Sequence, residues 1–240
     1  MNISDAVQQI IDRFEMGYVF TYDNFRELQK QQAVAKALNR LVAKGKIAKL
    51  SKGVYFKPEV TPFGVLAPKQ EQVVKDLLSD NGKITGYLTG YSIYNQLGLT
   101  TQVSNAIQIG KNDIRPTFKR ERYTISFVKQ KNSITKKNIP LLQLLDAIRY
   151  IKKIPDTTIE QSCDRLMSIF KTLDILEISE LIRLSLKYPP STRSLLGVIL
   201  DEIGYQDITA KLKASLNPLT VYKLPQVRKI FSKSDEWNII

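Results

Sequence analysis

Residues 31–56 read QQAVAKALNRLVAKGKIAKLSKGVYF, and this stretch decides the fold of the N-terminal part of the chain. Val34, Leu38 and Leu41 recur at i, i+4 and i+7, the spacing that places apolar side chains on one face of an α-helix. A glycine follows where such a helix would end. Two short extended runs then flank Gly53, a residue that readily adopts the positive φ of a hairpin turn. The stretch therefore predicts a helix followed by a β-hairpin.

The residues before this stretch predict two further helices. Ser4 is expected to cap the first helix and Gly17 to end it, and either Thr21 or Asp23 is expected to cap a short second helix. Three helices followed by a hairpin are the pattern of a winged helix-turn-helix. We therefore predict a winged helix-turn-helix domain over residues 1–60.

The rest of the chain, residues 61–240, predicts a larger α+β domain with a small sheet and a helical C-terminal half. The proline-containing segment EVTPFGVLAP is expected to be a linker between the two domains. Ser191 is expected to cap a helix after the Pro189-Pro190 pair, and a polar tail is expected to close the chain. Strands are predicted at AIQIG (106–110) and RYTISFVKQ (122–130).

The composition excludes several classes of catalytic site. The sequence contains no histidine, so Ser-His-Asp triads, Cys-His pairs and histidine metal ligands are excluded. Its one cysteine, Cys163, excludes an internal disulfide and a cysteine-based zinc site, and its apolar helical context predicts a buried core thiol. No phosphate-binding glycine loop is present. We expect a protein that is not an enzyme and that binds no cofactor or metal.

Acidic residues and hydropathy lead to related expectations. Four carboxylates in consecutive helices could in principle hold Mg²⁺, but they are expected on solvated helix faces: Asp146, Asp156, Glu160 and Asp164. No apolar stretch approaches the ~18 residues of a membrane span, and the first residues lack the apolar core of a signal peptide. These features predict a soluble, cytoplasmic protein.

The charge of the chain is concentrated in two blocks. Lysine and arginine number 36 against 23 acidic residues, a net charge of +13. Between Arg26 and Lys57 there are nine basic residues and one acidic residue, and between Lys111 and Lys137 nine basic and two acidic. Blocks of this kind favour a polyanionic partner over a uniformly solvated surface.

The first block predicts a DNA-binding face. On a helical wheel, the side opposite the apolar residues carries amide and basic side chains, and the hairpin adds three lysines. Glutamine and asparagine can pair with adenine, arginine with guanine, and lysine with phosphate. An ordinary solvated helix would share this composition, so the lysine-rich hairpin makes double-stranded DNA the favoured partner. The predicted contacts are Gln32, Lys36, Asn39, Arg40, Lys44, Lys46, Lys49 and Lys52.

The second block is less specific. It could contact DNA, RNA or an acidic protein partner, or it could form a solvated strand edge whose lysines discourage aggregation. The sequence leaves these alternatives open. The candidate contacts are Lys119, Arg120, Arg122, Lys129 and Lys131.

The sequence resembles AbiEi-type antitoxins of type IV toxin–antitoxin (abortive infection) systems over nearly its whole length. The similar stretches are VAKALNRLVAKGKIAKLSKGVYFKP (34–58), GYLTGYSIYNQLGLTTQVSNAIQI (86–109), NIPLLQLLDAIRYIKKI (138–154) and RSLLGVILDEIG (193–204). The resemblance implies a transcriptional autorepressor that binds inverted repeats in its own promoter. It also implies a C-terminal domain that counteracts a nucleotidyltransferase-like toxin, by acting on the toxin or on its target.

Two alternative functions remain open. One is a plain winged-helix regulator without a toxin, whose C-terminal domain senses a ligand or partner. The other is a metal-dependent nuclease that meets DNA through the basic face.

Overall fold

The computed structural model describes residues 2–80 and 82–240. Its internal contacts divide the chain into two compact units. The first contains the residues up to Ser79 together with Phe118–Thr124, and the second contains Asp80–Thr117 and Ile125–Ile240. This division falls later than the predicted boundary after residue 60, because further residues pack with the N-terminal elements.

The elements up to Leu78 begin with the helices and hairpin that the sequence predicts. They are α1 (Ile3–Asp12), β1 (Val19–Thr21), a 3-10 helix (Tyr22–Leu28), α2 (Gln31–Ala43), β2 (Ala48–Ser51), β3 (Val54–Phe56), β4 (Glu59–Thr61), β5 (Gly64–Leu66), α3 (Gln70–Val73) and α4 (Lys75–Leu78). Strands β1, β3 and β2 form an antiparallel sheet in that order. The prediction that the segment EVTPFGVLAP is a linker is wrong, because its residues form the β4–β5 hairpin.

Local hydrogen bonds define the ends of the first helices. Asn2, not Ser4, caps α1: its side-chain oxygen accepts from the Ser4 backbone N–H at 3.3 Å, which places Ser4 inside the first turn. The helix ends at Asp12, well before Gly17. Of the two residues predicted to cap the next helix, Thr21 is the cap and Asp23 lies in the first turn: the Thr21 hydroxyl accepts from the Asp23 N–H at 3.2 Å.

The elements from Ser79 onward mix short strands with longer helices. They are β6 (Ser79–Asp80), β7 (Lys83–Ile84), β8 (Gly86–Thr89), α5 (Tyr91–Gln96), β9 (Ala106–Lys111), β10 (Phe118–Arg120), β11 (Tyr123–Lys129), α6 (Ile139–Arg149), α7 (Ile159–Phe170), α8 (Ile175–Ser185), α9 (Pro190–Glu202), α10 (Ala210–Ala214) and α11 (Pro225–Ile230), with 3-10 helices at Ile151–Lys153, Gln206–Ile208 and Ser234–Trp237. The four-stranded sheet has the order β10-β11-β9-β8. Both strands predicted in this region are confirmed.

Helix α6 lies at the centre of the second unit, where it packs against α8, α9 and β8. Six of its apolar side chains are buried, so it is apolar almost all round. Helix α9 begins at Pro190 with Pro189 as its cap, so the expected capping by Ser191 is wrong. Proline suits the first helical position because its missing N–H has no partner there in any case.

The end of the chain is not a polar tail. Phe231, Trp237 and Ile239 are buried in the core of the second unit, although polar residues surround them in the sequence. The molecule is thus a mixed α+β protein with small sheets and several helices. Among the described residues, no helix is both long and apolar enough to cross a membrane.

Candidate nucleic-acid interface

One face of α2 is buried and the opposite face is open to solvent. Val34, Leu38 and Leu41 lie in the core of the first unit, where α2 packs against α1 and the 3-10 helix. The predicted contact residues of this helix are all exposed: Gln32, Lys36, Asn39, Arg40 and Lys44. The helical period thus presents two amides and three cations on one side of the unit.

The start of α2 is electrostatically suited to an anion. Gln29 adopts a left-handed conformation (φ 47°) that reverses the chain between the 3-10 helix and α2. Lys30, at the cap position, makes no side-chain capping hydrogen bond, and the first turn contains no acidic residue. Because the first N–H groups of a helix carry partial positive charge, this end of α2 favours negative charge nearby.

The β2–β3 hairpin continues the basic surface. Lys46, Lys49 and Lys52 are exposed. Lys46 lies in the loop between α2 and β2, and it alone of the three has a side-chain partner among the described residues: its Nζ donates to Gln8 Oε1 at 3.4 Å. The turn residue Gly53 has a φ of +76°, which confirms the predicted role of this glycine.

A pair of tyrosines anchors the hairpin to the 3-10 helix. The hydroxyls of Tyr22 and Tyr55 lie 3.1 Å apart and share a hydrogen bond, with their rings edge to face. Burial, reinforced by the hydrogen bond to Tyr22, raises the pKa of Tyr55 to about 12. The Tyr55 hydroxyl therefore stays protonated across the physiological pH range.

The basic residues of α2 and the hairpin are not neutralised within the chain. Among residues 2–80 and 82–240, no carboxylate forms an ion pair with Lys36, Arg40, Lys44, Lys49 or Lys52. Arg26 does pair with Asp23, and both of those side chains are strongly exposed. The face therefore retains its positive charge.

The candidate residues of the second basic block are divided between the two units. Lys119 and Arg122 are exposed residues of the first unit, and Lys129 and Lys131 are exposed residues of the second. The candidate role of Arg120 as a surface contact does not fit, because this residue is only 7% exposed. Strand alternation turns it inward while its neighbours face solvent.

The guanidinium of Arg120 holds the first unit together. Its two terminal nitrogens donate to the Asp76 carboxylate at 2.7 and 2.9 Å, and Nη1 also donates to the Val73 carbonyl at 2.5 Å. A bidentate arginine–carboxylate pair of this kind is among the stronger polar contacts in proteins. Arg120 is thus a structural residue.

A buried polar cluster in the second unit was missed by the sequence reasoning. Asp146, expected on a solvated helix face, is 0% exposed. Its carboxyl accepts hydrogen bonds from Tyr87 and Thr89 at 2.8 Å and from Tyr188 at 3.0 Å. Burial raises the pKa of Asp146, and these hydroxyl donors partly offset the rise. The apolar residues before and after Asp146 in PLLQLLDAI indicate a buried helix, but they do not reveal the distant hydroxyl donors that allow the carboxyl group to be buried.

The other predicted acidic residues and the thiol have the expected burial, but Asp156 lies in a turn before α7 and not on a helix face. Asp156, Glu160 and Asp164 are exposed. Cys163 is fully buried, and burial raises the pKa of its thiol to about 12, so it is a core residue. Among the described residues, no group of three histidine, cysteine, aspartate or glutamate side chains could hold a metal ion.

Comparisons with known proteins place the chain in a family. A crystal structure of the RV2827C protein from Mycobacterium tuberculosis is similar over 98% of this chain and 89% of that chain, with 14% sequence identity and a TM-score of 0.47. No curated protein matches the chain. Residues 6–201 match the model of a family of unknown function, DUF6088. Because this match covers most of the sequence, the chain belongs to the DUF6088 family.

Proposed function

We propose that this protein binds double-stranded DNA through its first unit, as a winged helix-turn-helix with α2 as the recognition helix and the β2–β3 hairpin as the wing. One observation carries the proposal. All eight predicted contact side chains are exposed, and they lie on α2, on the loop that follows it and on the β2–β3 hairpin.

The dimensions and chemistry of α2 suit the major groove. A helix of this length extends roughly 20 Å, and the groove is about 12 Å wide, which admits one α-helix. In the proposed complex Arg40 donates two hydrogen bonds to a guanine, and Gln32 and Asn39 pair with adenines. Lys36 and Lys44 reach phosphates on either side, which fixes the register of the helix.

The wing contributes affinity rather than sequence specificity. Lys49 lies in β2 and Lys52 lies in the turn of the hairpin. Both can therefore contact the DNA backbone beside the recognition helix. Each phosphate contact releases condensed counterions from the duplex, which strengthens binding at low salt. Binding of two copies to an inverted repeat would place the two helices about 34 Å apart, one turn of DNA.

Fluorescence anisotropy with DNA from the gene's own promoter tests the proposal. Loss of the Arg40 base contact alone costs about 1–3 kcal/mol, which corresponds to roughly 5- to 150-fold weaker binding. The double variant Lys36→Ala/Arg40→Ala should lose at least this much affinity. Arg13→Ala/Lys69→Ala is the matched control, since it removes the same charges from exposed sites of the same unit outside α2 and the hairpin. Unchanged affinity in the first variant, or equal losses in both, would contradict the assignment of α2.

We further propose that the protein acts as an autorepressor and as the antitoxin of a type IV module. The sequence similarity to AbiEi-type antitoxins supports this part of the proposal. The test is co-expression with the adjacent open reading frame, scored as growth. Rescue from a toxic neighbour supports antitoxin activity. A failure to rescue, together with intact operator binding, would favour a plain regulator.

The nuclease alternative has its own test. Supercoiled DNA incubated with the protein and increasing Mg²⁺ or Mn²⁺ should remain uncut if the protein only binds DNA. Metal-dependent nicking that disappears in the Lys36→Ala/Arg40→Ala variant would favour the nuclease.

A further inference from the structure

A cavity of about 600 Å³ in the second unit is lined by five basic side chains. Leu186, Pro189 and Pro190 also line it, and none of the described residues that line it is acidic. Its volume is that of a small-molecule site. The basic residues are Lys129, Lys131, Arg149, Lys187 and Arg193.

Two further lining residues are fixed by hydrogen bonds. Gln130 Nε2 donates to the hydroxyls of Tyr87 and Tyr188, both at 2.8 Å, and its Oε1 accepts from the Asn132 backbone N–H at 2.8 Å. The Tyr188 hydroxyl donates in turn to Asp146. The wall of the cavity is therefore pre-organised, which lowers the entropic cost of binding a ligand.

Four of the five basic side chains donate hydrogen bonds that leave their positive charges uncompensated. Lys129 donates to the carbonyl of Asn112, Lys187 to the carbonyl of Lys131 at 3.4 Å, and Arg149 Nη1 to the carbonyl of Lys129 at 3.5 Å. Each acceptor is a neutral carbonyl. These bonds orient the cations but do not neutralise them.

Arg193 follows the same pattern, since its Nη1 donates to the Ser215 carbonyl at 2.9 Å. In the part of the chain that the structure describes, no ion pair joins a carboxylate to any of the five cations. The carboxyl that interacts electrostatically with Arg149 is the buried Asp146. Like charges gathered in a concave site repel one another, and an anion bound among them offsets this repulsion.

The start of α9 adds to the positive electrostatic potential of the cavity. Pro189 and Pro190, which line the cavity, are the cap and first residue of this 13-residue helix. Its first turn contains no acidic residue. The partial positive charge of a helix N-terminus therefore adds to that of the side chains.

From this geometry we propose that the cavity binds a compact anion bearing two or more phosphate groups. Five cations exceed what a single carboxylate or monophosphate would neutralise, whereas a di- or triphosphate carries more negative charge and comes closer to balancing them. A cavity of this volume suits a small ligand, whereas a nucleic-acid backbone would need an extended groove. This inference does not depend on DNA binding by the first unit.

Isothermal titration of the full-length protein with inorganic tripolyphosphate tests the proposal. We expect saturable binding at one site that weakens as salt rises. Lys131→Gln/Lys187→Gln should reduce the affinity on the order of tenfold, because it removes two charge-assisted contacts. Lys211→Gln/Lys229→Gln, at exposed sites of the same unit away from the cavity, is the matched control and should bind like the wild type. Parallel titration with ATP tells whether a free polyphosphate or a nucleotide is preferred.

Three results would overturn the proposal. The first is the absence of saturable binding by both tripolyphosphate and ATP. The second is an equal loss of affinity in the two double variants, which would indicate non-specific attraction. The third is a loss of duplex DNA affinity in Lys131→Gln/Lys187→Gln without any loss for tripolyphosphate, which would make the cavity part of a nucleic-acid contact. Unchanged thermal unfolding of both variants verifies that they remain folded.

Discussion

The indole ring of Trp237 lies against Gly197 in α9, so closely that a Cβ on residue 197 would come within 2.1 Å of a ring carbon. The ring is fully buried, and its Nε1 donates to Asp201 Oδ2 at 2.8 Å. Ser194 Oγ donates to the Trp237 carbonyl at 2.5 Å. The missing side chain at residue 197 thus allows the end of the chain to dock on α9.

Gly197→Ala should destabilise the protein. Alanine is normally favoured over glycine in a helix interior by about 1 kcal/mol. Here the added methyl group must displace a buried ring, and overpacking typically costs about 1–3 kcal/mol. Urea unfolding followed by the fluorescence of Trp237, the only tryptophan, measures the change. Ser191→Ala, at an exposed site in the same helix, is the control, and a gain in stability from Gly197→Ala would disprove the close packing.

Asp146→Asn should change how stability depends on pH. Burial raises the pKa of Asp146 in the folded state. The stability that this shift contributes to the folded protein is therefore fully present below the ordinary pKa of about 3.9, and it is lost as the pH rises through the folded-state pKa. The wild type should therefore lose stability relative to Asp146→Asn as the pH rises from about 4. Urea unfolding across that range measures the difference. The exposed Asp164→Asn serves as control, and parallel profiles for wild type and Asp146→Asn would refute the prediction.

Gly53→Val should disrupt the β2–β3 hairpin. The φ of +76° is strained for a β-branched residue, and a Cβ there would lie 3.4 Å from the Tyr22 ring. We expect a loss of about 1–3 kcal/mol in stability, with weaker DNA binding as a consequence. Thermal unfolding and anisotropy measure the two effects. The control Ser51→Val, two residues earlier at the end of strand β2, should be tolerated, and equal stability of both variants would contradict the conformational argument.

Lys52→Gln should lower the salt dependence of DNA binding. If Lys52 contacts one phosphate, the slope of log K against log salt concentration should fall by about 0.9. Anisotropy titrations at several salt concentrations measure the slope, with Lys69→Gln as the charge-matched control. A slope equal to that of the wild type would mean that the hairpin stands away from the duplex.

Helix α2 and the hairpin after it were predictable because their signals are local. The spacing of Val34, Leu38 and Leu41 sets which face of the helix is buried, and so which side chains are exposed. Gly53 sets the turn by its own backbone freedom. No contact with a distant residue is needed to predict either feature.

Arg120 and Asp146 were not predictable in the same way. Arg120 is buried because Asp76, 44 residues earlier, supplies its counter-charge. Asp146 is buried because its hydroxyl donors include Tyr87, 59 residues earlier. In isolation, a charged residue is expected at the surface, since burying an unpaired charge is costly.

By itself, the sequence determined the periodic elements, the turn at Gly53 and the basic, histidine-free character of the chain, since each depends on residue type and short spacing. Only the tertiary structure decided that Arg120 and Asp146 are internal, that the last residues join the core through Trp237, and that five cations surround one cavity. The physical reason is that helical and strand periods arise from backbone geometry over a few residues. The burial of a charge or the end of a chain depends instead on partners that folding brings together from far along the sequence.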